Sequence, residues 1–260
     1  AFVVSMTGWQ FGFLSAGMLG IIGAVLIFIF LKPFPHDAID GDVFVNRKEI
    51  GKKQLSVLKS GTIWLLALSS AFMYISRYAV NSWGVYYFEV EKHYSIVEAS
   101  GLISISSICG IIGTVFSGLL SDKLFRGKRY IPACLASFMN LIALYLFLYI
   151  PDGGKLMDIV AMVLFGISIG ILICYLGGLM AIDLAPKEAT GAAVGVIGIA
   201  SYMAAGIQDI LSGFFIESKK QIIGGVEIID FSFIRMFWIL SAMVSLLLLI
   251  CIYYKHHRRV

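Results

Sequence analysis

Seven long apolar runs limit the possible folds of this 260-residue chain more than any other feature of its sequence. A helix needs about 20 apolar residues to cross the ~30 Å hydrocarbon core of a bilayer. Because backbone polar groups must pair within the segment in lipid, such runs fold as helices. With 59% hydrophobic residues, the chain is not an ordinary soluble domain. We predict an all-α polytopic membrane protein whose seven transmembrane helices cover 9–31, 61–88, 99–121, 130–150, 157–182, 187–216 and 231–254.

The basic residues between these runs are unevenly distributed. Fourteen Lys and Arg residues lie in one set of alternate loops, which includes 32–60 and the tail 255–260, and five lie in the opposite set. By the positive-inside rule, the richer set is cytoplasmic. We therefore predict a multi-pass protein of the cell inner (plasma) membrane, with its central loop and C-terminus in the cytoplasm. The net charge of +4 follows this topology, so the predicted partners include the lipid bilayer and no nucleic acid.

The predicted helices are unevenly spaced, because one long polar loop separates the first from the other six. Transporters built from two six-helix halves have such an arrangement. The chain opens at Ala1 in apolar sequence, so we expect a truncated start, with the N-terminal half preceding it in a monomeric protein. A seven-helix receptor is the competing interpretation, but it would not need the long first linker. The expected domains are the truncated last helix of the N-terminal half (1–32), a central cytoplasmic loop (33–60), a C-terminal six-helix half (61–254) and a basic cytoplasmic tail (255–260).

Arg77 is the one charged residue within the run 61–88 and lies near its middle. A charge at that depth costs at least ~2.5–3.5 kcal/mol and normally faces a bundle interior or a wet cavity. Tyr74 and Asn81 are three and four residues away, on the same helix face. Since guanidinium pairs bidentately with phosphate or carboxylate, this face predicts an anion-binding site. The alternative is an internal ion pair with an acid on another helix, for which Asp209 is the deep candidate.

Asp209 lies in the sixth run, about eight residues from its predicted outer end. Three roles remain open: an ion-pair partner of Arg77, a substrate-selecting carboxylate, or a proton carrier. A fourth interpretation places it in a wetted outer vestibule without a specific role. Tyr202 is seven residues earlier and therefore lies on the same helix face, deeper in the membrane.

Glycines recur at spacings that allow close helix packing in lipid. These positions are Gly110, Gly113 and Gly118; Gly166 and Gly170; and Gly191, Gly195 and Gly198. Packing is the simple interpretation, and smooth faces would also let helices slide against each other.

The cysteines and histidines do not have the spacing of metal ligands. The four cysteines fall inside predicted spans and are expected to be structural apolar thiols. The four histidines lie in loops or in the tail. We therefore predict no metal site, no cofactor and no catalytic residue.

The loop 118–129 reads GLLSDKLFRGKR and joins the third and fourth spans. Its acid, Asp122, stands at a helix C-terminus, where a negative charge opposes the helix dipole. We therefore expect Asp122 to be held by a neighbouring basic group or by the N-terminus of another helix. The candidate residues of a cytoplasmic gating loop are Gly118, Asp122, Lys123, Arg126, Gly127 and Arg129.

That loop resembles the cytoplasmic signature of the major facilitator superfamily and, more narrowly, of its organophosphate:inorganic phosphate antiporter family, which includes the glycerol-3-phosphate and hexose-6-phosphate exchangers. Two further segments are similar to helices 7 and 11 of that family. They read YISRYAVNSW and APKEATGAAVGVIGIASY. The resemblance runs in order from about residue 9 to 254 and implies that the seven spans are helices 6–12 of a twelve-helix fold.

The resemblance also implies roles for individual residues. The family grips phosphate with two arginines, on helices 1 and 7; Arg77 stands at the helix 7 position, and the helix 1 partner would precede Ala1. Tyr74 and Tyr202 match positions near the substrate, and Asp209 falls near a region that influences substrate choice. The family's acidic residue before the helix 7 tryptophan is Ser82 here, so no ion pair between halves is implied at that position.

The function implied is antiport rather than an enzymatic reaction. A sugar phosphate or glycerol 3-phosphate would enter in exchange for inorganic phosphate, by rocking of two six-helix halves around a midplane site. One alternative is a membrane sensor that binds hexose phosphate and signals to a kinase partner. Another is a proton-coupled transporter of a different organic anion.

Overall fold

The computed structural model describes residues 9–31, 47–151, 154–223 and 226–257. Seven helices in this part of the chain are long and apolar enough to cross a membrane, which confirms the seven predicted spans. The helices are α1 (Trp9–Phe30), α2 (Arg47–Leu58), α3 (Gly61–Val90), α4 (Ile96–Leu119), α5 (Tyr130–Tyr149), α6 (Lys155–Cys174), α7 (Met180–Leu184), α8 (Thr190–Ser218) and α9 (Ser232–His257). Residues 33–46 of the predicted central loop, 1–8 and 32 of the predicted first domain and 258–260 of the predicted tail lie outside the described residues.

Two spans contain π-helical turns at the same end of the bundle. Leu120–Leu124 extends α4, and Tyr175–Leu179 joins α6 to α7 in one continuous helix. Both turns lie next to the loop 125–129, and we call this end of the bundle the basic end. The ends of α3, α8 and the starts of α4, α6 and α9 form the opposite end.

The chain divides into two compact units, 1–49 and 50–260. The first contains α1, a 22-residue helix without a charged side chain. The side chains of α1 itself are mostly apolar on every face of the helix, as expected of a membrane-spanning helix. The second unit is a bundle that contains the remaining long helices.

Within the second unit, α3 packs against α8 and α9, and α6 packs against α4 and α5. Among the described spans, α3 and the continuous α6–α7 helix are the most buried. The largest fully buried side chains include Trp238, Tyr87 and Phe147. These aromatic rings lie together near the opposite end, with the Tyr87 and Phe147 centroids 4.9 Å apart.

The start of α4 is set by a capping box that the sequence prediction missed. The Glu98 backbone N–H donates to the Ser95 hydroxyl at 3.3 Å, and the Ser95 N–H donates to the Glu98 carboxylate at 3.2 Å. These reciprocal bonds satisfy backbone donors that a helix start leaves free. The helix therefore begins at Ile96, three residues before the predicted position.

A small β-hairpin is the one departure from the predicted all-α class in the described residues. Strands β1 (Lys220–Ile223) and β2 (Val226–Ile229) pair antiparallel, with Lys220 opposite Ile229. The hairpin links α8 to α9 at the opposite end, outside the apolar spans. Strand edges are tolerated there because water, unlike lipid, can pair with them.

Glycines bring α4 and α6 into backbone contact. A Cβ atom at Gly113 would lie 2.3 Å from the Ile167 carbonyl oxygen, and one at Gly170 would lie 2.1 Å from the Gly110 carbonyl oxygen. No side chain fits in that space. The predicted close packing therefore holds for the α4 and α6 glycines at this contact.

The other predicted glycines do not make such contacts. At Gly118, Gly191, Gly195 and Gly198, a Cβ would meet no atom of the described residues within 4 Å. The expectation of close approach at these four positions is therefore wrong within the described part of the chain. Gly191 and Gly195 lie on the exposed face of α8, and spacing alone does not say which way a glycine faces.

We expect Gly113→Ala to destabilise the full-length protein and Gly101→Ala to leave its stability unchanged or slightly higher. The first adds a methyl group against a rigid backbone carbonyl, which costs ~1–3 kcal/mol as overpacking. Gly101 is on the same helix but has open space around its Cα, so alanine there gains only helix propensity. Thermal unfolding in detergent measures both. Equal melting temperatures for the two variants would contradict backbone contact between α4 and α6.

Candidate functional site

Arg77 lies in the middle of the 30-residue helix α3 and is half-buried. Its guanidinium carbon is 5.2 Å from the ring centroid of Tyr74 and 5.4 Å from that of Tyr78. Aromatic faces stabilise a cation electrostatically and orient it without neutralising its charge. Arg77 forms no ion pair with any described residue.

A cavity of about 360 Å³ opens beside Arg77. It lies between α3, α4 and α6, and Arg77 is the one charged residue among the described residues that line it. Asn81 adds an amide to the same wall. The described lining residues are Arg77, Asn81, Ser106, Ser107, Gly110, Ile111, Thr114, Val115, Phe165, Gly166, Ile169, Gly170 and Ile173.

Three hydroxyls of α4 give the cavity wall acceptor oxygens. The Ser106 hydroxyl donates to the Ile103 carbonyl at 2.7 Å, and the Ser107 hydroxyl donates to the same oxygen at 3.3 Å. The Thr114 hydroxyl has two carbonyl acceptors in reach, Gly110 at 2.9 Å and Gly170 at 3.1 Å. Because each hydroxyl proton is used by the backbone, each oxygen is left to accept a hydrogen bond from a ligand.

The electrostatic character of the cavity follows from these residues. It has a single positive charge, no lining carboxylate among the described residues, one amide and three hydroxyl acceptors. Such a site suits an anion that also carries hydroxyl groups. The sequence identified Arg77 and Asn81 but missed the α4 hydroxyls, because only the fold brings α4 to α3.

Tyr74 and Tyr202 meet next to this cavity. Their ring centroids are 5.4 Å apart in a T-shaped arrangement, which brings α8 to the Arg77 region of α3. Tyr74 is 8% exposed and Tyr202 is 61% exposed. Neither ring is part of the described cavity wall, although Tyr74 lies under the guanidinium.

Asp209 is separate from this group. It does not line the cavity and forms no ion pair with Arg77, so the internal pair considered from the sequence is absent from the described structure. Its Oδ1 atom is buried and accepts no hydrogen bond from any described residue. One helical turn further, Gly213 lies against the Trp83 ring, since a Cβ there would be 3.3 Å from Trp83 Cζ2.

At the basic end, Arg129 anchors the predicted gating loop to α7. Its Nη1 atom lies 2.7 Å from Asp183 Oδ1 and donates to the Leu179 carbonyl at 2.8 Å. That carbonyl belongs to the π-helical turn, where the regular backbone pattern is interrupted and an oxygen becomes available. Asp183 was missed from the sequence because nothing there connects the end of one span with the loop after another.

The remaining gating-loop candidates form a turn. Gly127 has a φ of +79°, and its N–H donates to the Ser121 carbonyl at 2.9 Å. Asp122, Lys123 and Arg126 are exposed. No hydrogen bond or ion pair of Asp122 is found within the described residues, so the partner expected for this carboxylate does not appear there.

A buried charge cluster at the opposite end was also missed. Lys92 and Asp158 form an ion pair in which their side chains are 2% and 0% exposed. The Tyr94 hydroxyl donates to the other carboxylate oxygen at 2.8 Å. Phe88 and Phe147 flank the ammonium group, with centroids 5.5 and 5.7 Å from Lys92 Nζ. The available signal was Asp158 in the first turn of an apolar span, a position where a carboxylate is ordinarily solvated.

Comparison with known proteins supplies the family context. The family model described as Major Facilitator Superfamily matches residues 1–208. The chain is 29% identical to the glycerol-3-phosphate transporter of Bacillus subtilis (strain 168), over 80% of this chain and 50% of that protein. It is 30% identical to the membrane sensor protein UhpC of Salmonella typhimurium, over 77% of this chain and 48% of that protein. A probable hexose phosphate transport protein of Chlamydia trachomatis is 31% identical, over 66% of this chain and 39% of that protein. The chain thus spans about half the length, or less, of the curated relatives it matches.

Proposed function

The chain belongs to the Major Facilitator Superfamily, a family of transporters rather than enzymes, and we propose that its protein exchanges a phosphorylated organic solute for inorganic phosphate. Relatives named as glycerol-3-phosphate and hexose phosphate transporters support this substrate class. They match the organophosphate:inorganic phosphate antiporter family within the superfamily. Because this chain spans about half of their length, we propose that it forms helices 6–12 of a twelve-helix protein.

The observation that carries the proposal is the position of the Arg77 charge in the membrane-spanning bundle. It is a cation at the middle of a membrane-spanning helix, on a cavity wall, without an ion-pair partner among the described residues. A charge at that depth needs a counterion, and the described cavity wall offers no carboxylate. An entering phosphoryl group would be that counterion, held bidentately by the guanidinium fork. The Tyr74 ring would orient the guanidinium group through its cation–π contact.

The organic part of the substrate would use the rest of the cavity. Hydroxyl groups of a sugar or of glycerol would donate to the free acceptor oxygens of Ser106, Ser107 and Thr114. Asn81 would face the same groups from α3. Tyr202 would contribute to the cavity margin, and Asp209 stays a candidate for substrate selection.

Alternating access follows from the same arrangement. Two six-helix halves would rock about the midplane site, with the second half supplied by 61–254. The loop 118–129 would gate the cytoplasmic side, with Arg129 held by Asp183. We propose that the central loop and the C-terminus lie in the cytoplasm of an inner (plasma) membrane protein, which the uneven distribution of Lys and Arg between alternate loops supports. We propose that the protein acts as a monomer.

Reconstituted transport tests this function. Full-length protein in liposomes loaded with inorganic phosphate should take up labelled glycerol 3-phosphate or glucose 6-phosphate, and phosphate-free liposomes should take up little. Uptake without internal phosphate that stops when a proton gradient is collapsed would favour proton-coupled transport instead.

A sensor role is the second candidate, because one relative is named a membrane sensor protein. A protein with that role would bind hexose phosphate but show no exchange in the same liposomes. Equilibrium binding measured beside transport therefore separates the two functions.

A further inference from the structure

A second cavity, of about 500 Å³, lies between α5 and α9 at the basic end and shares no lining residue with the Arg77 cavity. Its volume falls within the ~300–1,000 Å³ range of small-molecule sites. Apart from the two tyrosine hydroxyls and a thiol, its walls are hydrocarbon. The lining residues are Ile131, Cys134, Leu135, Phe138, Leu246, Ile250, Tyr253 and Tyr254.

This groove is open to the outside of the bundle. Leu135 is 56% exposed, Phe138 is 53% exposed and Tyr254 is 62% exposed. At ~1.5 Å per residue, the lining extends for ~10–12 Å along both helices. The two tyrosines stand at the end of α9, with ring centroids 5.6 Å apart, where aromatic residues mark the level of lipid headgroups.

Positive charge is concentrated beside the same end of the groove. The loop that leads into α5 carries Lys123, Arg126 and Lys128, all exposed, and none of them forms an ion pair with a described residue. Lys128 is three residues before Ile131, the first residue of the groove. Such clusters attract the anionic headgroups of the cytoplasmic leaflet.

We propose that the α5–α9 groove is a binding site for a phospholipid with an anionic headgroup. An acyl chain lies in the groove, and the headgroup lies among the tyrosines and the basic residues of the loop. An occupant that matches the groove is apolar over at least ~10 Å, the length of the apolar lining. It is also anionic at the end that lies beside the basic residues. A phospholipid with an anionic headgroup has both properties. A protein segment would have to satisfy its own backbone polar groups at membrane depth. The proposal does not depend on which solute the protein transports.

Native mass spectrometry of the purified full-length protein tests this proposal. After delipidation, the protein is titrated with phosphatidylglycerol or with phosphatidylcholine of the same acyl chains. We expect one phosphatidylglycerol to be retained about fivefold more tightly, the difference that one nearby cation provides. Lys128→Gln should remove most of this preference, and Lys128→Arg should keep it. Equal retention of the two lipids would overturn the proposal and leave only unselective surrounding lipid.

A pair of tryptophan substitutions on α5 tests the groove itself. Leu135→Trp should fill it and reduce phosphatidylglycerol retention to the level of phosphatidylcholine. Ile142→Trp is the matched control, because Ile142 is 40% exposed on the same helix but does not line the groove. The same loss in both variants, or in neither, would contradict a site in the groove. If Leu135→Trp does not fold, the two Lys128 variants still decide the headgroup question.

Discussion

Replacing Arg77 with lysine is expected to remove most of the phosphate exchange proposed for the full-length protein, while the protein still inserts and folds. The ammonium group keeps the positive charge but loses the planar fork that pairs with two phosphate oxygens at once. It also loses the flat contact with the rings of Tyr74 and Tyr78, so the charge is less well oriented. Losing one charged hydrogen bond of ~1.5–3 kcal/mol corresponds to a rate decrease of about 10- to 150-fold.

The measurement is the initial rate of labelled organophosphate uptake into phosphate-loaded liposomes. Arg235→Lys is a matched control, because Arg235 is also a half-buried arginine but pairs with Glu91 at 2.9 Å, away from the cavity. It should retain exchange. Unchanged exchange in Arg77→Lys, with the purified protein intact, would rule out the anion-binding role of the guanidinium.

The sequence singles out Arg77 because a charge in the middle of an uncharged membrane-spanning run is energetically costly. Helical spacing then placed Asn81 on the same face, and the structure finds both on one cavity wall. The hydroxyls of Ser106, Ser107 and Thr114 could not be found this way. Serine and threonine are tolerated at many positions in membrane helices, and only the packing of α4 beside α3 gives these three a common cavity.

The glycines also show that spacing in the sequence does not determine which helix faces come into contact. Gly113 and Gly195 occur in similar patterns, yet Gly113 touches a backbone carbonyl and Gly195 has open space around it. A spacing identifies a smooth stripe on a helix, whereas the rotation of that helix in the bundle determines what the stripe meets. Rotation is set by all neighbouring side chains together, which a single segment does not encode.

Charge pairs were the least predictable feature. The loop motif drew attention to Asp122, but the observed pair joins Arg129 to Asp183 on another helix. Lys92 and Asp158 are 66 residues apart and each stands at the end of a span, where charges are ordinarily solvated. Their burial results from the aromatic residues of α3 and α5 that close over them.

Breaking the Lys92–Asp158 pair is expected to give the largest loss of stability of any single substitution considered for this protein. Asp158→Asn would leave the Lys92 ammonium buried between Phe88 and Phe147 without a counterion. Removing one partner of a buried pair costs ~3–5 kcal/mol, since the remaining charge has neither water nor a partner. Thermal unfolding of the full-length protein in detergent should show a large decrease in melting temperature.

The double variant Lys92→Met/Asp158→Leu distinguishes the cost of an unpaired charge from the value of the pair. Replacing both partners by apolar residues of similar volume is often neutral or stabilising, so this variant should recover most of the loss. Lys155→Gln is the control for a lost lysine at the same end of the bundle. Lys155 pairs with Glu98 at 2.6 Å, but their side chains are 66% and 46% exposed, so little stability should be lost. If Asp158→Asn melts no lower than Lys155→Gln, the ion pair is solvated in the membrane protein and does not hold α6 to the end of α3.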